Sequence, residues 1–292
     1  MSCSFSVITP SYNQGQFIRA TIESVLSQEI PDLQYLVRDG GSSDESVAIL
    51  REYSDRLTYV SEPDEGTADA INKGLMLCRG EVIGWLNSDD IYYPGALHRV
   101  SSLFDLHPDI DIIYGRAHHI DEHGTVIEEY PTEDWSFERL IDRCIISQPA
   151  AFFRRRVVEK FGLLDKAHKY CVDYELWIRL ARKGAKFLFV PEFFSATRLH
   201  DQAKTVASRL QCHADINDIM VEHLGYVPTR WIETYAHIKT EKLIKRSENE
   251  FAFLSVFIMH CLLTDLRWNK KISPSTIQML SGWASRRLRQ TK

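Results

Sequence analysis

The chain of 292 residues has six cysteines, Cys3, Cys78, Cys144, Cys171, Cys212 and Cys261, and they form no pattern. No C-x-x-C pair and no zinc-ligand spacing occurs among them, so they read as reduced thiols of a cytosolic protein. A basic excess is also missing. With 35 Lys and Arg against 40 Asp and Glu, the net charge of -5 argues against nucleic acid as a partner. No G-x-G-x-x-G motif is present, which removes a dinucleotide oxidoreductase. The first apolar run is followed by Pro10-Ser11-Tyr12-Asn13-Gln14-Gly15, not by the Gly-rich, Arg-bearing loop of a sugar-phosphate nucleotidyltransferase. The longest apolar segment, Phe251 to Leu263, is interrupted by Ser255 and His260 and falls short of the roughly 20 residues that span a bilayer. The expectation is therefore a chain that does not cross a membrane. The N-terminus lacks a basic leader and reads as entering a strand, not as a signal peptide. Repeats and low-complexity linkers are absent too.

What is present is material for one sizeable core, since 44% of residues are hydrophobic and no stretch has the bias of a disordered segment. Short apolar runs at Phe5–Ile8, Tyr35–Val37, Leu57–Val60, Val82–Leu86 and Ile110–Tyr114 alternate with amphipathic stretches of helical spacing. That alternation predicts a mostly parallel sheet with crossover helices. Further on come a hairpin around Asp121-Glu122-His123-Gly124, strands over Ala150–Phe153 and Lys186–Val190, and a helical region from Asp201 onward.

Open α/β sheets bind ligands beyond the carboxyl ends of their strands. Four segments fall there: Thr9 to Asn13, Asp39 to Asp44, Glu62 to Gly66, and Asn87-Ser88-Asp89-Asp90. The last suits a hard divalent cation completed by phosphate oxygens, and equally a solvated turn whose Asp90 caps a helix. Asp39, directly before Gly40-Gly41, could meet a base or a ribose, or simply start a turn. Asp173 stands at the start of an amphipathic helix, as a cap or as a general base.

Taken together, Val7 to Asn13, Ser24 to Gln28, Val37 to Asp44, Asp69 to Gly74 and Gly84 to Asp90 resemble the family 2 glycosyltransferases. The resemblance implies an α/β GT-A fold, with a Rossmann-like, mostly parallel central sheet, helices on both faces and a helical C-terminal extension. Residues 1–205 would be the catalytic domain, with a nucleotide-sugar half at 1–117 and an acceptor-side half at 118–205, and residues 206–292 the extension. The implied reaction is inverting transfer from a nucleotide diphosphate sugar, UDP- or dTDP-linked, to a hydroxyl of a glycan or lipid-linked sugar in surface polysaccharide synthesis.

The resemblance also implies roles. Pro10, Tyr12 and Asp39 would surround the base, with Lys73 near the donor. The D-x-D metal motif falls on Asn87-Ser88-Asp89, so its first place holds Asn and its third, the metal ligand, is Asp89. Asn87, able to reach a ribose hydroxyl or a metal-bound water, completes the substrate-binding set with Ser88, Asp90 and Gln148, the last on the acceptor side. His200, in Arg198-Leu199-His200, would join Asp89, which favours Mn2+ over Mg2+. Asp173 would be the base, in Val172-Asp173-Tyr174-Glu175-Leu176-Trp177, with Val172 where many relatives have Glu. The reading from another class is a carbohydrate- or nucleotide-sugar-binding protein of the same fold without turnover.

Beyond these motifs, the helical spacing of Phe251, Phe253, Leu254, Phe257, Ile258, Cys261 and Leu262 offers one apolar face to protein, to a second subunit as a homodimer, or to a bilayer surface. Arg286, Arg287, Arg289 and Lys292 add positive charge. They support an expectation of peripheral contact with the cytoplasmic face of the cell membrane.

Overall fold

A computed structural model describes residues 3–201 and 207–290, with side chains described as far as residue 283. The Arg286, Arg287, Arg289 and Lys292 side chains lie outside the described residues. The chain divides into two compact units, Met1–Ala203 and Lys204–Lys292.

In the first unit the apolar runs become parallel strands. These are β1 (Phe5–Ser11), β2 (Gln34–Asp39), β3 (Thr58–Ser61) and β4 (Val82–Trp85), ordered β3-β2-β1-β4. Every residue of β1 and β4 is buried, as in a strand covered on both faces. The crossovers are α1 (Gly15–Leu26), α2 (Ser46–Glu52) and α3 (Thr67–Leu75). Helix α1 buries Phe17, Ile18, Ile22 and Val25, the face its spacing predicts.

The sheet then changes character. After β5 (Ile91–Tyr92) and α4 (Ala96–Leu106), the chain forms β6 (Ile112–Ile120), β7 (Val126–Glu129), α5 (Phe137–Asp142), β8 (Ala151–Arg154), α6 (Arg155–Phe161), α7 (Val172–Arg182) and β9 (Phe187–Arg198). Strand β8 runs antiparallel between β4 and β6, and β9 lies parallel to β6. The hairpin forms where expected, with Asp121 Oδ1 accepting the N–H groups of His123 and Thr125.

Strand β9 is longer than its sequence pattern indicates. Pro191-Glu192 interrupts the apolar alternation, and the register with β6 shifts between Tyr114 and Arg116, where Phe189 and Phe193 are the partners. An irregularity of this kind lets a strand absorb a proline and continue. The continuation carries β9 alongside β5, pairing Ile91 with Ala196 in antiparallel fashion.

The second unit contains α8 (Arg209–Leu224), α9 (Thr229–Glu241), α10 (Glu250–Asn269) and α11 (Pro274–Gln290). Its core includes Ala236, Phe253, Phe257 and Cys261. The apolar segment read from sequence as ending at Leu263 runs on in α10 to Asn269, giving a helix of 20 residues that is long and apolar enough to cross a membrane by length and composition. Its buried side is polar in places. The His260 ring meets Thr240 Oγ1 at 2.9 Å, and Asp265 accepts from Ser273 N–H at 2.7 Å and from Asn269 Nδ2 at 2.7 Å.

Candidate active site

The carboxyl ends of β1 and β4 lie side by side at the sheet edge. After β1, Asn13 takes a left-handed φ of 52°, a conformation asparagine tolerates. Its Oδ1 accepts from Ser43 N–H at 2.9 Å, and its own N–H donates to Ser42 Oγ at 2.8 Å. Asp39 closes this loop from β2. Its carboxylate accepts from the N–H groups of Gly41 and Ser42 at 3.2 and 2.9 Å, and from the hydroxyls of Ser42 and Ser61 at 2.5 and 2.6 Å. Asp39 is therefore buried and committed to shaping the loop. Asp44 accepts from Gly15 N–H and Ser46 N–H, supplying partners near the starts of α1 and α2. Burial draws its pKa upward, but these hydrogen bonds outweigh it and hold the carboxyl below its usual range.

Pro10 is buried in β1. Tyr12 is 62% exposed. A Cβ on Gly40 would meet Asp64 Oδ2 at 2.8 Å and Tyr12 Cδ2 at 3.3 Å, so glycine is what allows the ring and the carboxylate to flank this turn closely. An exposed ring at this edge can stack a nucleobase. Lys73 on α3 is held by Asp69 at 3.1 Å and Glu62 at 3.6 Å. Lys166 adds a second contact to Asp69 at 2.9 Å, and the two lysines, Lys166 first, hold the Asp69 carboxyl down at about 2.

The acidic turn is bound from several directions. Asp90 is 2% exposed, with Oδ1 accepting from Arg198 N–H at 2.9 Å and its main-chain oxygen from Thr21 Oγ1 at 2.8 Å. Burial and the adjacent Asp89 charge push its pKa well above the carboxylate range. Arg198 Nε donates to the Asp89 carbonyl at 3.0 Å, and its Nη1 donates to the carbonyls of Asp121 and Glu122. The guanidinium lies 5.0 Å from the centre of the Phe17 ring, which also packs 4.8 Å from the His200 ring. His200 Nε2 sits 3.0 Å from Asp89 Oδ2. Ser88 is buried, whereas Asp89 keeps part of its surface open. The pairing of β5 with β9 is what brings the two ends of this cluster together.

On the other side, Gln148 is buried just before β8. It donates to Trp85 O at 2.6 Å and accepts from Asn87 Nδ2 at 3.0 Å, so one end of its amide holds the end of β4 and the other the acidic turn. Asp173 lies inside the first turn of α7, and the cap position belongs to Cys171. The Cys144 thiol is pushed up to about 12 by burial and then by the charge of Asp173, which places that carboxylate near the Cys144 loop. Helix α7 is anchored through Arg179, which donates to Glu175 Oε1 at 2.7 Å and to the carbonyls of Phe161 and Leu163. Asn72, on α3, makes two bonds of 2.9 Å to the main chain of Leu164. The turn at 161–165 thus connects the Lys73 helix to the Asp173 helix.

Sequence reasoning assigned no role to Arg198, Asn72 or Arg179. Arg198 and Asn72 stand inside the motifs quoted above and Arg179 two residues beyond one, yet what each does depends on main-chain groups that a sequence does not bring together.

A parallel half of four strands joined through an antiparallel strand to a long late strand, with helices packed on the sheet, is the GT-A fold, and solved structures share that fold. TarS of S. aureus, in complex with UDP-GlcNAc, superposes with a TM-score of 0.62 at 16% identity over 88% of this chain and 81% of that one. Mannosyltransferase PcManGT from Pyrobaculum calidifontis, in complex with GDP-Man and Mn2+, gives a TM-score of 0.61 at 16% identity over 99% and 81%. At such identity the likeness establishes the fold. Among curated proteins, an uncharacterised glycosyltransferase of Rickettsia typhi is 30% identical over 213 residues, which span 68% of this chain and 65% of that relative's length. The glycosyl transferase family 2 model matches residues 6–162, more than half of the chain, and the chain belongs to that family.

Proposed function

We propose that the protein transfers a sugar from a nucleotide diphosphate sugar to an acceptor hydroxyl, with inversion at the anomeric carbon. The observation that carries this reading is the Asp89–His200 pair at the edge that also presents Tyr12 and the Asp39 loop. One imidazole nitrogen and one carboxylate oxygen within hydrogen-bond reach make a donor set suited to a transition divalent cation, Mn2+ ahead of Mg2+. Bound there, the ion would neutralise charge on the donor diphosphate. Pro10, Tyr12 and the Asp39 loop form the wall for the base, and Lys73 with its acidic partners the neighbouring rim. Residues 1–117 are the donor half, 118–205 the acceptor half and 206–292 the helical extension.

In the transfer, the acceptor hydroxyl gives its proton to the Asp173 carboxylate as its oxygen bonds to the anomeric carbon. The bond from that carbon to the diphosphate oxygen breaks, and the electron pair leaves with the nucleotide diphosphate. UDP- or dTDP-sugars are the preferred donors, with a glycan or lipid-linked sugar of surface polysaccharide synthesis as acceptor. The UDP-GlcNAc bound to TarS supports the first choice, and the GDP-Man bound to PcManGT makes guanine donors the necessary comparison.

The test is a donor panel with Mn2+, read first by thermal shift and then by turnover, with Asp173→Asn as control. Transfer abolished in the control while nucleotide binding persists supports the reading. Nucleotide binding without turnover across the panel makes the chain a binding protein. Retained anomeric configuration by NMR contradicts the single displacement.

The same reading puts the protein in the cytoplasm, touching the inner face of the cell membrane through its C-terminal helices. The outward face of α10 supports this, with Phe251, Met259 and Leu263 exposed and Lys270 and Lys271 following the helix. Liposome sedimentation without binding, with or without anionic lipid, removes this part.

A further inference from the structure

The acidic turn holds asparagine at the position where a carboxylate would complete the D-x-D pattern. An Asn there can be a weaker substitute for a ligand, or a group with different work. The side chain of Asn87 decides between these through its hydrogen bonds. Its Oδ1 accepts from Trp85 Nε1 at 2.9 Å. Its Nδ2 donates to Gln148 Oε1 at 3.0 Å and to Asp90 Oδ2 at 3.3 Å. Gln148 cannot reverse its amide freely, because its Nε2 is engaged at 2.6 Å with Trp85 O. Asp90 is fixed at its other oxygen by Arg198 N–H.

We infer that Asn87 is a positioning residue, and that its NH2 group, clamped by Gln148, aims the turn so that Asp89 faces His200. The two acceptors converging on Nδ2 make an amide necessary here. A carboxylate would keep the bond from Trp85 but set a second oxygen against Gln148 Oε1 and Asp90 Oδ2, so that the two N–H donors of the amide give way to at most a single proton, and Gln148 Oε1 is left without a donor. Turning Gln148 to serve it would place its carbonyl against Trp85 O. Each arrangement leaves a polar group unsatisfied in a largely buried place, which costs more than removing the side chain. The inference rests on reading Asp89 as the metal ligand, and it reverses what the motif alone suggests: restoring the carboxylate damages the site.

The experiment compares Asn87→Asp, Asn87→Ala, Gln148→Met and the Asn87→Ala/Gln148→Met double variant in the full chain. Two readouts are taken, the melting temperature without metal and the Mn2+ concentration for half-maximal transfer from the donor that wild type uses. Asn87→Asp is expected to melt roughly 4–8 °C below wild type and below Asn87→Ala. Its Mn2+ requirement is expected to rise at least about tenfold, the equivalent of losing one charge-assisted contact. Gln148→Met is expected to raise the Mn2+ requirement as well, with the double variant no worse than the poorer single one. An Asn87→Asp protein that melts at or above Asn87→Ala, or that needs less Mn2+ than wild type, overturns the inference, as do single-variant effects that multiply in the double. If wild type shows no transfer, the proposed function fails, and the order of melting temperatures still decides this inference.

Discussion

His200 Nε2 lies 3.0 Å from Asp89 Oδ2 across 111 residues of chain, and Arg198, two residues before the histidine, binds the main-chain oxygen of the same aspartate. The last strand of the sheet therefore delivers both a candidate ligand and the residue that holds the opposing loop in place. The proposed cation site and the β5–β9 pairing share these few contacts.

Arg198 is the residue whose loss reaches furthest. Its guanidinium serves three carbonyls, those of Asp89, Asp121 and Glu122, and lies over Phe17. Arg198→Ala leaves those carbonyls without their donor and is expected to cost about 2–4 kcal/mol in denaturant unfolding. Arg198→Lys keeps the charge but not the fork, and is expected to recover less than half of that loss. A lysine variant as stable as wild type would show that charge alone suffices.

Asn72 tests the connection between the two sides of the site. It is buried, and both polar ends of its amide bond Leu164. Asn72→Asp sets a carboxylate oxygen against the Leu164 carbonyl and is expected to destabilise by roughly 2–3 kcal/mol, more than Asn72→Ala. Chemical denaturation of the two variants gives the comparison, and the reverse order would count against the pairing.

The helical unit carries a pH dependence of its own. Burial, and then the nearby Arg209 charge, lower His213 from 6.5 to about 4. The fold thus prefers the neutral ring. Its contribution is fully present above pH 6.5 and is lost as pH falls from there toward 4, because the unfolded chain takes up the proton first. Helicity of the full chain in denaturant, followed from pH 7 to 4, is expected to show a stability loss on the order of 2 kcal/mol. His213→Gln should flatten that part of the profile. An unchanged slope in the variant would assign the loss to other groups.

Much of the parallel part of the sheet, β1 to β4, was legible in the sequence because period and position agree there. Val7-Ile8 and Val82 to Trp85 are unbroken apolar runs, and the polar segments after them fall at the strand ends. The hairpin at Asp121 was legible for the same local reason. Strand β9 was not, since Pro191-Glu192 hides its continuity and only pairing with β6 restores it. The site residues divide in the same way. Asp89, His200 and Asp173 stood out through the resemblance to family 2 glycosyltransferases, since chemical type alone left the aspartates between caps and functional groups and the histidine between a structural residue and a ligand. That Asp39, Asn87 and Gln148 spend their polar atoms inside the protein follows from contacts such as Asn87 to Gln148, 61 residues apart, which no local pattern encodes. Helix α10 runs on past Leu263 with Thr264 and Asp265 buried and Asp265 bonded to Asn269 and Ser273.

The central claim is that Asp89 and His200 together hold the divalent cation used in transfer. The direct measurement is Mn2+ uptake by titration calorimetry, with UDP present, for wild type, Asp89→Asn and His200→Ala. The account predicts one site in wild type and an affinity reduced by at least about tenfold in each variant, the size expected from removing one ligand of a small set. His200→Ala or Asp89→Asn binding Mn2+ as tightly as wild type would contradict it.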